Sequence, residues 1–441
     1  MTKIAFLRST EIQQTAPYLA RLADRFARDG IRAKLFYTHG DCDRTDFPGE
    51  TERLDPDISC DQLVGRLVRW GPDRVISLSV ADRHALRDSL AKEALAARGI
   101  PVVMHGARAT GALANKWETK ELMRHHGLAT PDGVLLDGDL LNGRALSVPA
   151  YHDLVRHHAG RLGYPLLAKP LWDCYAKGIT LLHDESELRE HLRAPHNCNA
   201  LLEQCLRGEL CSVEIVGRGG AFVLQPLIWK GATGGLPQDL YGQLRYSAPH
   251  PVAEARFLPV ADRLRALCAG LGLEGSLEVE MIYTEGTYRI IEINPRVSGS
   301  TTLSIAASGC NTYDCLVDMA QGTWSADHAA ALDQGRRRLA VQFPVRGLTE
   351  ELTGVLAHHL DLVRASRINA NGRVHENAII TCEFTDAPGL ADTLTSLQDR
   401  YGLTSPDIIQ QIHSLLRDTV PPGPPATAEQ HLSNRPEREV T

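Results

Sequence analysis

The stretch that constrains this chain most is an acidic hairpin: Ser276-Leu-Glu-Val-Glu-Met-Ile-Tyr283, a turn Thr284-Glu285-Gly286, then Thr287-Tyr-Arg-Ile-Ile-Glu-Ile-Asn-Pro-Arg296. Side chains alternate along a strand, so Leu277, Val279 and Met281 point one way and Glu278 and Glu280 the other. On the returning strand Ile291 and Ile293 alternate against Glu292 and Asn294. A three-residue turn pairing Tyr283 with Thr287 sets Glu278 opposite Glu292, with Glu280 one diagonal step away. Facing carboxylates repel unless a cation lies between them. Hard oxygen ligands of this kind suit Mg²⁺ or Mn²⁺, which keep positions open for phosphate oxygens. The alternation alone also fits a half-solvated hairpin. The residues just past the strand tip the balance: Asn294-Pro-Arg296-Val-Ser-Gly-Ser-Thr puts an obligate cation and small donors at its end, where Arg296 can grip an oxyanion bidentately. A metal–nucleotide site is the leading expectation.

At 441 residues the chain has room for two to four domains. A net charge of −7 argues against nucleic-acid or anionic-membrane partners. The start, Met1-Thr-Lys-Ile-Ala-Phe-Leu, reads as a buried strand, with neither a signal-peptide pattern nor an apolar run of membrane-spanning length. The ten cysteines form no CxxC pair, which fits reduced thiols in a cytoplasmic protein. The histidine pairs 125/126, 157/158 and 358/359 lack a spaced third ligand and read as surface residues.

Along the chain, residues 1–114 alternate strands (3–8, 33–37, 74–78, 101–104) with helices (16–29, 60–70, 86–98), the pattern of a parallel α/β domain. No GxGxxG follows the first strand, so a dinucleotide site is not supported there. Residues 115–325 change character. A helix spans 117–126, with Lys116 and Lys120 in or beside its first turn. A strand ending in Ala-Lys169-Pro precedes a loop, and Ala200–Glu209 runs through Glu203 and Leu206 into a turn. Strands 210–216 and 221–228 read as a hairpin, Lys230–Gln238 as a glycine-rich lid, and Pro259–Gly270 as a helix leading into the acidic hairpin. The domain divides into lobes of about 115–198 and 199–325. Residues 326–417 form a small mixed C-terminal unit, with strands near 338–343 and 376–384 and helices near 350–363, 390–398 and 405–416. The Pro-rich end, 418–441, has too little apolar surface to order.

Lys116, Lys169, Glu203, Leu206, Glu209, Glu280, Glu292, Asn294 and Arg296 occur in that order, and in this set the chain resembles the ATP-grasp superfamily of carboxylate ligases over roughly 115–325. The resemblance implies an α/β fold with a parallel N-terminal domain, a two-lobed ATP-grasp domain and a C-terminal unit. It implies that Lys116 and Lys169 contact ATP phosphates, that Glu203 to Leu206 is the hinge whose backbone reads adenine, and that Glu209 binds ribose. It implies that Glu280, Glu292 and Asn294 hold two Mg²⁺ ions with Glu292 bridging. Arg296 is then the catalytic arginine that steadies the acyl phosphate, with Ser298, Gly299 and Ser300 beside the substrate. The sequence departs from the pattern after Lys169, where Leu-Trp-Asp-Cys-Tyr-Ala-Lys177-Gly replaces the usual small residues and offers Lys177 as a further phosphate ligand. It also has Glu278 where D-alanine–D-alanine ligases have an arginine, and so looks closer to the branch with L-amino-acid ligases, biotin carboxylase and carbamoyl-phosphate-forming enzymes.

The implied activity is cytoplasmic, Mg²⁺- and ATP-dependent joining of a small carboxylate, an amino acid before other acids, to an amine through an acyl phosphate. The alternatives are a carboxylase or purine-pathway enzyme activating bicarbonate or formate, and a non-catalytic ATP-binding regulator. The partners expected are small molecules, with no nucleic acid and no membrane. The C-terminal unit either completes an acceptor pocket or forms a homodimer interface.

Overall fold

The computed structural model describes residues 1–144, 147–172, 177–236, 242–370 and 373–419. The expected tail therefore falls outside the described residues from position 420 onward, while Pro406–Thr419 is helical. The N-terminal sheet is wholly parallel, built from β1 (Thr2–Arg8), β2 (Ile31–Tyr37), β3 (Glu50–Arg53), β4 (Arg74–Ser77) and β5 (Val102–Val103) in the order β3-β2-β1-β4-β5. β1 is apolar on both faces because helices cover both, and five of its seven residues are buried. β3 was not foreseen: Glu50-Thr-Glu-Arg53 is an exposed edge strand with no hydrophobic signature. The single helix expected over 16–29 is instead one 3₁₀ turn at Ala20–Leu22 and a helix limited to Ala23–Arg28.

A four-stranded sheet follows, with β6 (Gly133–Leu136), β7 (Leu166–Pro170), β8 (Thr180–Leu182) and β9 (Ala200–Gln204) in the order β6-β9-β7-β8. It takes in β9, which the sequence pattern assigned to the second lobe. The largest sheet contains β10 (Glu209–Arg218), β11 (Ala221–Leu224), β12 (Ile228–Ala232), β13 (Arg245–Ser247), β14 (Glu274–Thr284), β15 (Thr287–Asn294), β16 (Leu339–Pro344), β17 (Asp361–Ala370) and β18 (Arg373–Cys382). Its path is β15-β14-β10-β12-β13-β16-β18-β17, with β11 paired to β10. The strands after residue 325 thus continue this sheet through the β13–β16 pairing. Several local expectations change. The strand read as 221–228 breaks after Leu224, before Pro226, and a new strand starts at Ile228. Residues 230–232, read as part of a lid, lie in β12; positions 237–241 fall outside the described residues. The helix read as 350–363 stops at His359, and β17 begins at Asp361. The helix before the hairpin starts at Pro251, two turns earlier than expected, where the His250 side chain caps it. Among the described residues no helix is long and apolar enough to cross a membrane.

Candidate functional site

The acidic hairpin forms, but in another register. Its turn is the two-residue Glu285-Gly286, both at positive φ (49° and 73°), so Thr284 pairs with Thr287 and Tyr283 with Tyr288. A bulge then displaces Ile291, so that Met281 faces Ile290 while Glu280 faces Glu292 and Glu278 faces Asn294. The expected Glu278–Glu292 pairing is therefore corrected by the turn and the bulge together. Leu277, Val279 and Met281 enter a core with Ile290 and Ile293. Ile291, expected on that side, lines the cavity instead.

β10 extends the polar face by one more column. Ser212 pairs with Glu280 and Glu214 with Glu278, giving the ranks Ser212–Glu280–Glu292 and Glu214–Glu278–Asn294. Lys230 on β12 projects into them, with Nζ 2.7 Å from Glu278 Oε1 and 2.5 Å from Glu280 Oε1. Opposite, Lys116 at the first turn of the helix Lys116–His125 reaches Glu292 Oε2 at 3.2 Å; the Asn115 side chain caps that helix and holds its start in place. Lys169 on β7 is ion-paired with Glu203 on β9, whose other oxygen is 3.0 Å from Lys120 Nζ. Arg296 donates from Nε to Asp82 Oδ1 (2.9 Å) in the N-terminal domain and from Nη2 to Asn294 Oδ1 (3.0 Å).

These groups border one cavity of about 460 Å³. Its wall includes Lys116, Lys169, Glu203, Lys230, Arg245, Glu278, Glu280, Glu292, Asn294 and Arg296, together with Leu206, Gly299 and Ser300. The structure thus gathers most of the expected residues. It leaves Glu209 exposed at the start of β10, off the cavity wall, and Lys177 exposed in a turn beside residues outside the described set. Ser298 also turns away, donating to Glu214 Oε1 at 2.8 Å. Glu203 differs in kind from the expectation. Its backbone lies inside the sheet between Gly133 and Leu167, and its buried side chain anchors two lysines. Only the following Gln204, Cys205 and Leu206 present a hinge-like edge to the cavity.

Burial and charge divide the carboxylates. Burial pushes Glu280 up to about 7, with Lys230 opposing and Glu278 and Glu292 reinforcing the shift. Burial acts on Glu292 too, but Lys116 and Lys169 override it and hold the group down at about 2. Burial beside Glu278 takes Glu214 up to about 8. Lys230 keeps its proton despite burial because Glu278 and Glu280 flank it. Lys230, Asp82, Glu214 and Arg245 were not singled out from sequence, and Lys120 was noted beside Lys116 without a role. Only Lys230 carried a local signal, a lone cation in the apolar run Leu-Ile-Trp-Lys-Gly-Ala.

No group of three or more His, Cys, Asp or Glu side chains is arranged as a metal site among the described residues. The donor set at issue is smaller: two carboxylates, Glu280 and Glu292, with the Asn294 amide. It fits Mg²⁺, an ion that takes one or two carboxylates and fills its shell with water and phosphate. The ammonium groups of Lys230 and Lys116 lie against those carboxylates as cationic stand-ins.

A family model described as an ATP-grasp domain matches residues 113–300. Among curated relatives, the D-alanine–D-alanine ligase of Syntrophotalea carbinolica is 25% identical over 226 residues, 50% of this chain and 68% of the relative. The carbamoyl-phosphate synthase of Methanobrevibacter smithii is 22% identical over 316 residues, 68% of this chain and 78% of the relative. The fold resembles that of the L-amino acid ligase from Bacillus licheniformis, with a TM-score of 0.65 at 16% identity, over 95% of this chain and 98% of the other. It also resembles N5-carboxyaminoimidazole ribonucleotide synthetase from Thermus thermophilus, with a TM-score of 0.62 at 20% identity, over 90% and 98% of the two chains.

Proposed function

We propose that this chain, which belongs to the ATP-grasp superfamily, is an ATP-dependent ligase that activates a small carboxylate as an acyl phosphate and joins it to an amine. The observation that carries this reading is the convergence of three parts of the chain on one cavity: Lys116 and Lys169 from one side, the Glu280–Glu292 pair from the large sheet, and Arg296 tied to Asp82 of the N-terminal domain.

A carboxylate approaching a triphosphate is an anion meeting a polyanion, so cations must be in position before in-line contact. Glu280, Glu292 and Asn294 would hold Mg²⁺, which supplies charge neutralisation of the phosphate oxygens when bound. Lys116 and Lys169 are the flexible ammonium groups for the phosphates, and Glu203 with Lys120 sets where Lys169 starts from. Leu206, Ile282 and Ile291 supply apolar wall for the adenine ring. Arg296 offers a planar donor edge to the reacting carboxyl group, and its Nε–Asp82 bond keeps that edge oriented.

The test is ADP release against a panel of amino acids and amines, singly and in pairs, with Mg²⁺. ADP appearing only when an acid and an amine are both present supports amide synthesis. Release with bicarbonate alone replaces this reading by the carboxylase alternative, which the likeness to carboxylating and carbamoyl-phosphate enzymes keeps in view. Nucleotide binding without turnover under any condition favours a regulator. In the same assay Glu292→Ala is expected to abolish Mg²⁺-dependent turnover while the chain still folds, since it removes a cavity ligand and no core; undiminished turnover takes Glu292 out of the site.

A further inference from the structure

The parallel sheet of the N-terminal domain changes direction between β1 and β4. From β1 the chain goes out to β2 and β3, then returns to add β4 and β5 on the other side. Ligands of open α/β sheets settle at such a switch point, beyond the carboxyl ends of its two strands. Here those ends open onto the cavity. Gln14, in the 3₁₀ turn Ile12–Thr15 that follows β1, is on its wall, and so are Val80 and Ala81, which follow β4. The crevice is firmly built. Gln14 O accepts from Arg364 Nη1 at 2.5 Å and from Thr302 Oγ1 at 2.9 Å, and Val80 N donates to Ser9 Oγ at 3.0 Å. The helix Thr301–Ser308, which carries Thr302, also packs on β13, so Gln14, Ser300 and Arg245 are gathered at one end of the wall.

Arg245 sets the charge of this end. Trp229 on β12 faces Tyr246 on β13 in an antiparallel pair, which puts the next pair, Lys230 and Arg245, side by side on the cavity face. Both are buried, at 4% and 7% exposure, and both line the cavity. Like charges on neighbouring strands repel. The Lys230 ammonium is drawn to Glu278 and Glu280, away from that neighbour. Around Arg245 the wall residues Gln14, Val80, Ala81, Gly299 and Ser300 carry no charge. A guanidinium fork beside an amide and a hydroxyl fits a carboxylate, which takes two parallel N–H bonds from arginine. The carboxyl group under activation is already accounted for by Arg296, so a carboxylate at Arg245 is a second one. The attacking amine needs an approach separate from the phosphates at Lys116 and Lys169, and the N-terminal crevice supplies it.

We propose that this end of the cavity is the acceptor subsite and that Arg245 binds the carboxylate of an amino acid there, flanked by Gln14 and Ser300. The product is then a peptide with a free carboxylate, not the amide of a simple amine. This rests on the ligase reading above. Sites built to hydrogen-bond a group reject the analogue that leaves their polar atoms unpaired.

The test uses the full chain with Mg-ATP and a saturating acid partner, and identifies products by mass. It compares glycine with glycinamide, and L-alanine with L-alaninamide, as acceptors. The carboxylate-bearing acceptor is expected to have a kcat/KM at least about 100-fold higher. Arg245→Met should cut that ratio to below about 10 by raising KM for the amino acid, with KM for the carboxamide unmoved. General loosening of the fold does not produce that split. Arg245→Lys keeps the charge but loses the fork, and should fall between the two. Mg-ADP binding checks that each variant is folded; where Arg245→Met does not bind it, the parent and Arg245→Lys decide. Equal use of both acceptor forms by the parent, or a ratio that these substitutions leave at the parent's value, overturns the proposal. The ligase reading fails separately. ADP release from acid–amine pairs without this preference refutes the subsite alone. No ADP release from any pair refutes the ligase, and titration calorimetry with Mg-ADP then decides the subsite. It stands if amino acids bind more tightly than their carboxamides in the parent and equally in Arg245→Met, and it falls otherwise.

Discussion

Lys230 is a buried ammonium whose charge is matched by two carboxylates, Glu278 and Glu280, that burial would otherwise push toward protonation. Removing one partner of such a cluster strands the others, at a cost of about 3–5 kcal/mol. Lys230→Met is therefore expected to lower metal-free stability by that order and to gain more from added Mg²⁺ than the parent does, because the ion replaces the lost cation. Denaturant titration with and without Mg²⁺ reads this directly; an equal Mg²⁺ effect in both proteins means the carboxylates do not receive the ion. Arg296 is bound through Nε and Nη2 at once, a geometry that a lysine cannot copy. Arg296→Lys is expected to lose most of the turnover rate while nucleotide affinity stays. Near-normal turnover would reduce Arg296 to an anchor for Asp82. Most of the site was legible at this scale, since Lys116, Lys169, Glu280, Glu292, Asn294 and Arg296 were all read from the chain and all line the cavity. Asp82 was not, because nothing near it in sequence hints at a partner 214 positions away.

At the scale of the element, the hairpin shows how a correct strand assignment can carry a wrong register. Both strands were expected, and both form. Their pairing depended on a turn one residue shorter than expected and on a bulge at Ile291. Either change alone would move Glu292 relative to Glu280, and a one-residue slip would send it to the core face. The turn places Glu285 at positive φ, where a residue with a Cβ is strained by roughly 1–2 kcal/mol and asparagine is favoured. Glu285→Asn is accordingly expected to stabilise the chain by about 1 kcal/mol. A rise in the urea midpoint with unchanged slope checks it; no rise means the turn is not the strained element described. β3 and β17 were missed for a different reason. β3 is an exposed edge without an apolar run, and β17 begins two residues after the preceding helix ends, so the hydrophobic pattern does not mark the junction.

For the whole molecule, the buried carboxylates shape stability against pH in opposite senses. Glu214, at about 8 in the folded chain against an ordinary 4.5, favours the protonated form when folded. Its contribution is complete below about 4.5 and is lost as pH rises through 8. Glu292, held at about 2, contributes above 4.5, and that stability disappears as pH falls toward 2. Thermal unfolding of the metal-free protein from pH 5 to 9 should show a declining midpoint. Glu214→Gln should flatten the decline in part, leaving the share due to Glu280, which burial raises to about 7. A slope unchanged by Glu214→Gln would mean that Glu214 is ionised in the folded chain.

The chain order of residues determined, without any coordinates, that strands and helices alternate up to position 114, that two carboxylate-bearing strands lie next to each other, and that lysines and an arginine accompany them. Periodicity and turn chemistry act over a few residues, and these features are local. Only the tertiary structure decided that Glu280 rather than Glu278 faces Glu292, that Lys230 lies among the acids, that Glu203 serves two lysines, and that the last strands extend the large sheet. Those outcomes depend on which surfaces exclude water together and which charges must share one low-dielectric space, and such long-range conditions leave no mark on neighbouring residues.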